Sequence, residues 1–476
     1  MFRTLPAAKH TEADLISLGA AMVADAEDAP TPETETDNEE NQGIDAGYTY
    51  LGQFIDHDLT FDPASSLQKQ NDPNALEDFR TPRFDLDNVY GRGPDDQPYL
   101  YDEDGIHLLL GRKLTGNAGD KNTKDLQRNV NNRAIIGDPR NDENVIVSEL
   151  QSAFIRFHNR VANILLKKNP NTRFEEIQQC VRWHYQWVVL HDFLPTIVGQ
   201  QTIDKVLPPK SGKKSFYEDE PKLLFYKPKK MSFMPVEFSV AAYRFGHSMV
   251  RPIYRLNQTL ENRQVIFGGT SDFDNLVGFR AFPDSWAIEW DLFFNPGNAP
   301  LLGKNRIQKA YKIDTSLVNP LGKLPAVIAQ NPPSLAARNL LRGLRMGLPS
   351  GQAVARQMHI EPIKDKFLKV GKATEEDSKT NKLLTDISKN FAGNAPLWYY
   401  ILAEAQQQFK KDDTVIHLGE VGGRIVTEVF VGLLWNDSHS YMRQHPGWQP
   451  NEEFLVNGQF KMKDLIKQAT KDNDPV

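Results

Sequence analysis

The sequence predicts a mainly α-helical protein with long loops and very little strand. Between residues 143 and 168 the apolar side chains recur at the spacing of one helix face, and Asn169-Pro170 ends the pattern. Ser334–Met346 is bounded in a similar way, because Gly347 and then a proline follow it. The sequence contains no internal repeat and little of the two-residue alternation that is typical of strands. We therefore expect a single helical domain.

Other segments are compatible with helices, and prolines delimit two of them. The segments are 47–58, 174–194, 236–250, 396–408 and 420–435. We expect the helix over residues 174–194 to stop at Leu194-Pro195 and the helix over residues 236–250 to stop before Pro252. Residues 95–130 are polar and rich in glycine and asparagine, which predicts a loop that contains at most a hairpin.

Charge divides the chain into two parts. Residues 25–45 carry nine acidic residues and no basic one, which is typical of a solvated, mobile segment. We therefore predict an N-terminal extension over residues 1–45 and one domain over residues 46–476.

Composition excludes several classes of protein. The formal net charge is −6, which gives no support for binding to nucleic acid or to an anionic membrane. No apolar run is long enough to span a bilayer, and the first residues lack the apolar core of a secretion signal. We accordingly expect a cytoplasmic protein or one exported without a leader. Cys180 is the single cysteine, so no intramolecular disulfide is possible.

Two acidic strings combine the residue types needed for acid–base chemistry and for a hard cation. Residues 53–58 read Gln-Phe-Ile-Asp-His-Asp, and a helix would place Gln53 and His57 on one face while Asp58 points elsewhere. Asp58 could join Asp85, Asp87 and the Thr81 hydroxyl in an oxygen-ligated calcium site. A histidine between two aspartates is also common as a surface or capping residue, and Asp-Leu-Asp-Asn also suits a turn. The spacing is not that of an EF-hand.

Two more segments carry candidate residues. His247 belongs to a segment with several small residues, such as Gly246, that would let a flat group approach the backbone, although helix–helix packing explains small residues equally well. Arg140 would project from just before the long helix, and Glu143 would lie in its first turn. The alternative there is an acidic N-terminal turn that the helix dipole favours.

Taken together and in this order, five segments resemble the animal-type haem peroxidases of the peroxidase–cyclooxygenase superfamily, in a compact bacterial-style form. The segments are Gln53–Asp58, Thr81–Gly91, Arg140–Glu143, Tyr243–His247 and Asn339–Pro349. The resemblance spans roughly residues 47–350 and implies a helical haem-peroxidase domain.

The resemblance implies roles for individual residues around haem b. His57 and Arg140 match the distal pair, and Gln53 is placed to orient water or a halide beside them. His247 matches the iron ligand, and Asn339 the residue that accepts its ring N–H. By the same resemblance, the basic residues near the haem propionates match Arg244 and Arg342. The two carboxylates that many members esterify to haem match Asp56 and Glu143.

The same resemblance implies a calcium site and limits the covalent chemistry. The family's calcium ligands match Asp58, Thr81, Asp85 and Asp87. Arg83 would supply a further ligand through its backbone carbonyl. Asn144 stands where one member has a methionine that forms a third haem link, so that link is not expected.

The implied reaction is the reduction of hydrogen peroxide, coupled to the oxidation of a halide, a pseudohalide or a phenol. His57 would move the proton of the peroxide and Arg140 would stabilise developing charge. A fatty-acid dioxygenase of the same fold is the first alternative, but its tyrosine stands three residues before the histidine. Arg244 occupies that position here, and Tyr243, four before, is expected to face differently. A haem- and calcium-binding adhesion protein without turnover is the second alternative, although it has no need for the His57/Arg140 pair.

Overall fold

The computed structural model describes residues 1–26, 37–60, 81–208, 220–268, 274–300, 302–326, 329 and 331–471. Within these ranges the structure is mainly α-helical, as the sequence predicts. The α-helices are, in chain order, α1 (Glu12–Ala21), α2 (Gly47–Leu59), α3 (Asp87–Tyr90), α4 (Val145–Lys168), α5 (Phe174–Val188), α6 (Leu194–Val198), α7 (Gln200–Val206), α8 (Val236–Ser239), α9 (Leu335–Arg345), α10 (Gly351–Gln357), α11 (Asp377–Thr380), α12 (Leu384–Ile387), α13 (Leu397–Gln406), α14 (Glu420–Asn436), α15 (Tyr441–Gln444) and α16 (Met462–Ala469).

The strands in the described ranges are short and form antiparallel pairs. They are β1 (Glu40–Asp45), β2 (Ile253–Tyr254), β3 (Gln264–Val265), β4 (Lys309–Tyr311), β5 (Lys369–Val370) and β6 (Lys382–Leu383). β1 pairs with β4, β2 with β3, and β5 with β6. None of the helices in the described part of the chain combines the length and apolar character needed to cross a bilayer.

Local sequence signals mark the ends of α4 and α9. Asn144 caps α4 by accepting a hydrogen bond from the backbone of Val147, and Ser334 caps α9 in the same way. Gly347 follows α9 with a φ of 64°, the left-handed conformation that glycine adopts without strain. The predicted helices over residues 47–58, 143–168 and 334–346 are therefore confirmed to within two residues at each end.

Two predicted helix boundaries are wrong. The segment after Pro235 does not form one helix, because α8 ends at Ser239 and a separate 3₁₀ turn spans Ala242–His247. The backbone breaks at Ala241, whose φ and ψ are −130° and −70°. Pro195 does not end a helix either. A π-helical turn over Val189–Phe193 follows α5, and the proline then lies in the first turn of α6, where its missing N–H is tolerated.

The described parts of the N-terminal stretch pack onto the rest of the molecule. α1 lies against α9, Phe2 is buried, and β1 pairs with β4. The centre of the acidic segment, residues 27–36, lies outside the described residues. The extension predicted over residues 1–45 is thus integrated with the domain wherever it is described.

Aromatic packing holds α2 in place. The rings of Phe54 and Phe154 stack at 4.4 Å between α2 and α4, and the ring of Tyr185 from α5 meets both edge-on. Phe84 contacts the other side of Tyr185. Because all four side chains are buried, the helix that carries His57 and the loop that carries Asp85 belong to one core.

Candidate functional site

A cavity of about 340 Å³ lies between α2, the start of α4 and the 242–247 turn. α2 supplies Gln53, Asp56 and His57, and the turn supplies Arg244 and His247. The remaining wall is largely apolar and includes Met249, Val250, Ile266, Phe267, Leu276, Leu321, Leu324 and Leu335. Polar groups from α2 and from the turn thus meet in a mostly apolar chamber.

A chain of directed hydrogen bonds sets the tautomer of His57. Its Nδ1 lies 2.6 Å from Asn141 Oδ1, and Asn141 Nδ2 donates to Gln151 Oε1 at 2.8 Å. Gln151 Nε2 in turn donates to the carbonyl of Asn88 at 3.2 Å. Because that carbonyl can only accept, each amide in the chain has one orientation and His57 Nδ1 must carry the proton. Nε2 therefore keeps the basic lone pair of the ring, as a general base requires.

Glu143 and Gln53 form the polar group beside His57. Gln53 Nε2 donates to Glu143 Oε1, and Gln53 Oε1 accepts from Asn144 at 3.1 Å. Glu143 Oε1 also lies 3.8 Å from His57 Nε2. Burial raises the pKa of Glu143 to about 7, opposed by the charge of Arg140.

Asp56 lies in the same cavity, between two guanidinium groups. Burial raises its pKa, and the charges of Arg140 and Arg244 oppose that rise. Its Oδ1 accepts a hydrogen bond from Thr60 at 3.3 Å. Asp56 and Glu143, which the resemblance singles out as haem-linking carboxylates, therefore line one chamber.

Arg140, which the resemblance pairs with His57, is hydrogen-bonded to the end of α2. It is not among the residues that line the cavity, and its guanidinium bonds Asp138 at 2.8 Å and the carbonyls of His57 and Thr60. Burial lowers the pKa of Arg140, but Asp138 overcomes this and the pKa stays above its ordinary value. The permanent charge therefore holds the end of α2 and still acts on Asp56 and Glu143.

His247 contacts Asn339, but not through the expected atom. Asn339 Nδ2 lies 2.7 Å from His247 Nδ1, while its Oδ1 accepts from Arg244 at 3.2 Å. Arg244 therefore competes with the histidine ring for the amide oxygen. Burial and the charge of Arg244 lower the pKa of His247 to about 3, which keeps the imidazole neutral.

Arg244 acts on His247 and is itself close to two further arginines, Arg338 and Arg342 of α9. Burial lowers the pKa of Arg244, the charge of Asp56 opposes this, and the charges of Arg342 and Arg338 lower the pKa further. Arg244, the member of this group that lines the cavity, provides a guanidinium of the kind that suits a haem propionate. A Cβ on Gly246 would meet nothing within 4 Å, so the backbone there leaves room for a flat ring. Two imidazoles, apolar walls and the Arg244 guanidinium together fit haem.

The candidate calcium ligands are only partly brought together. The Thr81 hydroxyl lies 2.9 Å from Asp85 Oδ2 and 3.2 Å from Asp87 Oδ2. Burial, and then the charge of Asp87, raise the pKa of Asp85 to about 7. The Arg83 side chain points to Asp437, with 4.0 Å between Nε and Oδ1. Within the described ranges, no group of three or more histidine, cysteine or acidic side chains is arranged to hold a metal ion.

Sequence reasoning missed several residues of the site. Tyr48 and Tyr50 line the cavity, and Arg338 joins Arg342 beside Arg244. Tyr243, which is expected to face differently from the residue three before His247, lines the cavity together with Arg244, and its hydroxyl donates to the carbonyl of Gly52 at 3.2 Å. The segment forms a 3₁₀ turn over Ala242–His247 and not a continuous helix, and this turn changes which side chains share a side.

Comparison with known proteins identifies one family. The model of that family, described as animal haem peroxidase, matches residues 68–389, a range that contains Arg140, His247 and Asn339 and begins after His57. Peroxidasin of Drosophila melanogaster is 26% identical over 265 residues, which cover 53% of this chain and 16% of that protein. Thyroid peroxidase of Rattus norvegicus is 24% identical over 368 residues, which cover 73% of this chain and 37% of that protein. The chain therefore spans less than half the length of these relatives.

Solved structures share the fold over nearly the whole chain. Peroxidase A from Dictyostelium discoideum has a TM-score of 0.56 at 16% identity, covering 96% of this chain and 88% of its own. A variant of the fatty acid alpha-dioxygenase of Oryza sativa, solved with palmitic acid, has a TM-score of 0.63 at 16% identity, covering 98% of this chain and 80% of its own. At such identities the likeness concerns the fold alone.

Proposed function

The chain belongs to the animal haem peroxidase family, and from that premise we propose that it reduces hydrogen peroxide and oxidises a halide, a pseudohalide or a phenol. The observation that carries the proposal is the cavity that contains both His57, with the ring proton on Nδ1 and the basic lone pair on Nε2, and a neutral His247. A non-catalytic adhesion protein would not need an amide chain that prepares a general base.

The residues of the cavity divide the work of peroxide reduction. Haem, when bound, would supply the iron that binds peroxide and takes up its two oxidising equivalents. His57 Nε2 takes a proton from peroxide and returns it to the departing oxygen, which leaves as water. Gln53 orients water or the halide beside His57, and the charge of Arg140 lowers the cost of negative charge in the cavity.

Direct assay tests the function. Protein produced with haem is mixed with hydrogen peroxide and, in separate reactions, bromide, thiocyanate or guaiacol, and donor oxidation is followed. Peroxide-dependent oxidation of any of these donors supports the proposal. Haem-replete protein that oxidises none of them would contradict it.

A fatty-acid dioxygenase remains the second candidate because Tyr243 is buried at the wall of the same cavity. A tyrosyl radical there could abstract hydrogen from an apolar chain lying along Ile266, Phe267 and Leu276. Oxygen uptake with palmitic acid, measured without added donor, separates the two reactions. Uptake in the absence of peroxide-dependent donor oxidation would favour the dioxygenase.

We also propose that Asp58, Thr81, Asp85 and Asp87 bind calcium, with the backbone carbonyl of Arg83. Asp85 Oδ1 is buried without a hydrogen-bond partner, and two carboxylates share one hydroxyl. Leu86, between them, has a φ of 59°, a strained conformation for a leucine. Burial raises the pKa of Tyr185 most, Asp58 and Tyr243 add to this rise, and Asp85 adds last, which supports the proximity of the two acids to one ring.

Removal of the calcium ligand Asp85 is expected to lower stability and metal content together. Calcium at 100 times its Kd stabilises a protein by about 2.7 kcal/mol, and Asp85→Asn should lose most of that increment. Thermal unfolding with and without a chelator, combined with metal analysis, measures both effects. Asp95→Asn, at an exposed aspartate, is the matched control. Active wild-type protein that contains no calcium would refute the site.

Exposure to peroxide is expected to make haem resistant to extraction. Asp56 and Glu143 line the cavity and match the family's ester-forming carboxylates. Acidic organic solvent should then release haem from untreated protein but leave it attached after peroxide treatment. The Asp56→Ala, Glu143→Ala double variant should release haem in both cases. Asp95→Ala, Asp386→Ala removes two exposed carboxylates and should behave as wild type. Complete release from peroxide-treated wild type would exclude the ester links.

A further inference from the structure

A second cavity, of about 460 Å³, lies between the 290–292 turn and α16. Its wall includes the indole of Trp290 and the carboxylates of Glu289, Asp291 and Asp464, with Lys467 at one side. None of these residues lines the cavity that contains His57. The two chambers are nevertheless connected by aromatic rings.

The shorter connection runs through Phe294. Its ring centroid lies 6.1 Å from that of Trp290 and 5.3 Å from that of Tyr48, and Tyr48 lines the first cavity. The Tyr48 hydroxyl donates to Asp192 Oδ1 at 2.8 Å. A phenol with a carboxylate at this distance can lose an electron and pass its proton to the acid in one event.

The longer connection reaches the first cavity at a different tyrosine. Trp290 lies 5.8 Å from Phe293, Phe293 stacks on Tyr254 at 6.1 Å, and Tyr254 meets Tyr50 at 5.4 Å. Tyr50 lines the first cavity, as Tyr48 does. Two independent series of rings thus begin at the oxidisable phenols of the first cavity and converge on one oxidisable indole in the second.

We propose that Trp290 is a second oxidation site, used by aromatic amine donors that are too large to enter the first cavity. This inference rests on the proposed peroxidase function. Reduction of one hydrogen peroxide to two waters consumes two electrons and two protons. Two donor molecules supply them in turn: each gives one electron to oxidised Trp290 and releases one proton to solvent. Trp290 is restored by each donor, and the rings carry each electron inward.

The chemistry of the second cavity fits an aromatic amine. An aromatic ring can pack against the indole, and its amino group can donate to the acidic wall. Glu289 is held in place at this wall, because its carboxylate accepts from the backbone N–H of Gln258 at 3.1 Å and of Ala118 at 3.5 Å. Asp291 is exposed beside Trp290 and adds a second acceptor.

The experiment uses a donor that cannot enter the first cavity. p-Phenylenediamine coupled to dextran is supplied with hydrogen peroxide to the haem-loaded protein, and bromide serves as the small donor. Trp290→Phe should lower kcat/KM for the dextran-linked donor by about tenfold or more and leave that for bromide within about twofold. Trp290→Tyr keeps an oxidisable ring and should recover part of the rate. Protein that is mixed with hydrogen peroxide in the absence of donor and then freeze-quenched should give a tryptophanyl radical signal. The Trp290→Phe variant should lack this signal.

Trp435→Phe is the matched control. Trp435 lies on α14, with the guanidinium of Arg443 at 4.8 Å from its ring, and is not part of either series of rings. The Trp435→Phe variant should oxidise both donors with the kcat/KM of the wild type. Unchanged oxidation of the dextran-linked donor by Trp290→Phe would overturn the inference, as would a wild-type protein that oxidises bromide but not the linked donor. Failure to oxidise any donor would instead count against the proposed function.

Discussion

Replacing His57 with alanine is expected to slow the reaction with hydrogen peroxide by about 10²–10⁴-fold, the usual contribution of a general base. The imidazole is buried in the cavity, its Nδ1 proton is committed to Asn141, and its Nε2 carries the basic lone pair. Haem should remain bound, because His57 is not expected to ligate iron. Stopped-flow absorbance of the haem band after mixing with peroxide measures the rate. A normal rate in His57→Ala would exclude His57 as the base.

A milder substitution separates the contribution of His57 to the rate from the contribution of its orientation. Asn141→Leu keeps His57 but removes the acceptor that fixes its tautomer, so a smaller loss of rate is expected than in His57→Ala. The pH profile of the peroxide reaction should also shift, because Nδ1 loses its fixed acceptor. Gln151→Leu, one step further along the chain, should act in the same direction and more weakly. Rates and pH profiles in both variants that equal those of the wild type would show that the amide chain is only structural.

Much of the fold could be predicted because local signals and tertiary packing agree. α4 and α9 have apolar faces that match the helical period, and each has an N-cap side chain. The prediction over residues 236–250 failed because the apolar and small residues there are equally compatible with a helix and with two short turns. The tertiary environment decided between them at Ala241, where the backbone leaves the helical region.

The sequence offers candidate residue types for the site but not the contacts between them. His57 and Asn141 are 84 positions apart, and no spacing rule relates them. Arg140 shows the same limit. Its charge and its place before α4 were visible in the sequence, whereas its bonds to the carbonyls of His57 and Thr60 depend on how α2 ends. The motifs therefore indicate which residues belong to the site, whereas contacts between segments that are distant in sequence determine how these residues are bonded.

Replacing His247 with alanine is expected to abolish haem binding. The ring is neutral because burial and then the charge of Arg244 lower its pKa to about 3, and a neutral imidazole ligates iron through its unprotonated nitrogen. In this structure Asn339 turns its amide nitrogen to Nδ1, because Arg244 occupies the amide oxygen. If Arg244 bonds a haem propionate and not Asn339, the Asn339 oxygen can accept the Nδ1 proton of His247, and Nε2 would then hold the lone pair for iron.

Haem content per protein chain and the Soret spectrum measure the effect of His247→Ala. His184→Ala is the matched control, since His184 is also buried with a pKa lowered to about 4 but bonds the carbonyl of Cys180 instead. It should retain haem if it folds, which circular dichroism checks. His247→Gly leaves space for a free imidazole, so adding imidazole should restore haem binding to that variant alone. Retention of a normal Soret band in His247→Ala, or no recovery in His247→Gly with imidazole while its circular dichroism remains that of the wild type, would mean that another group ligates the iron.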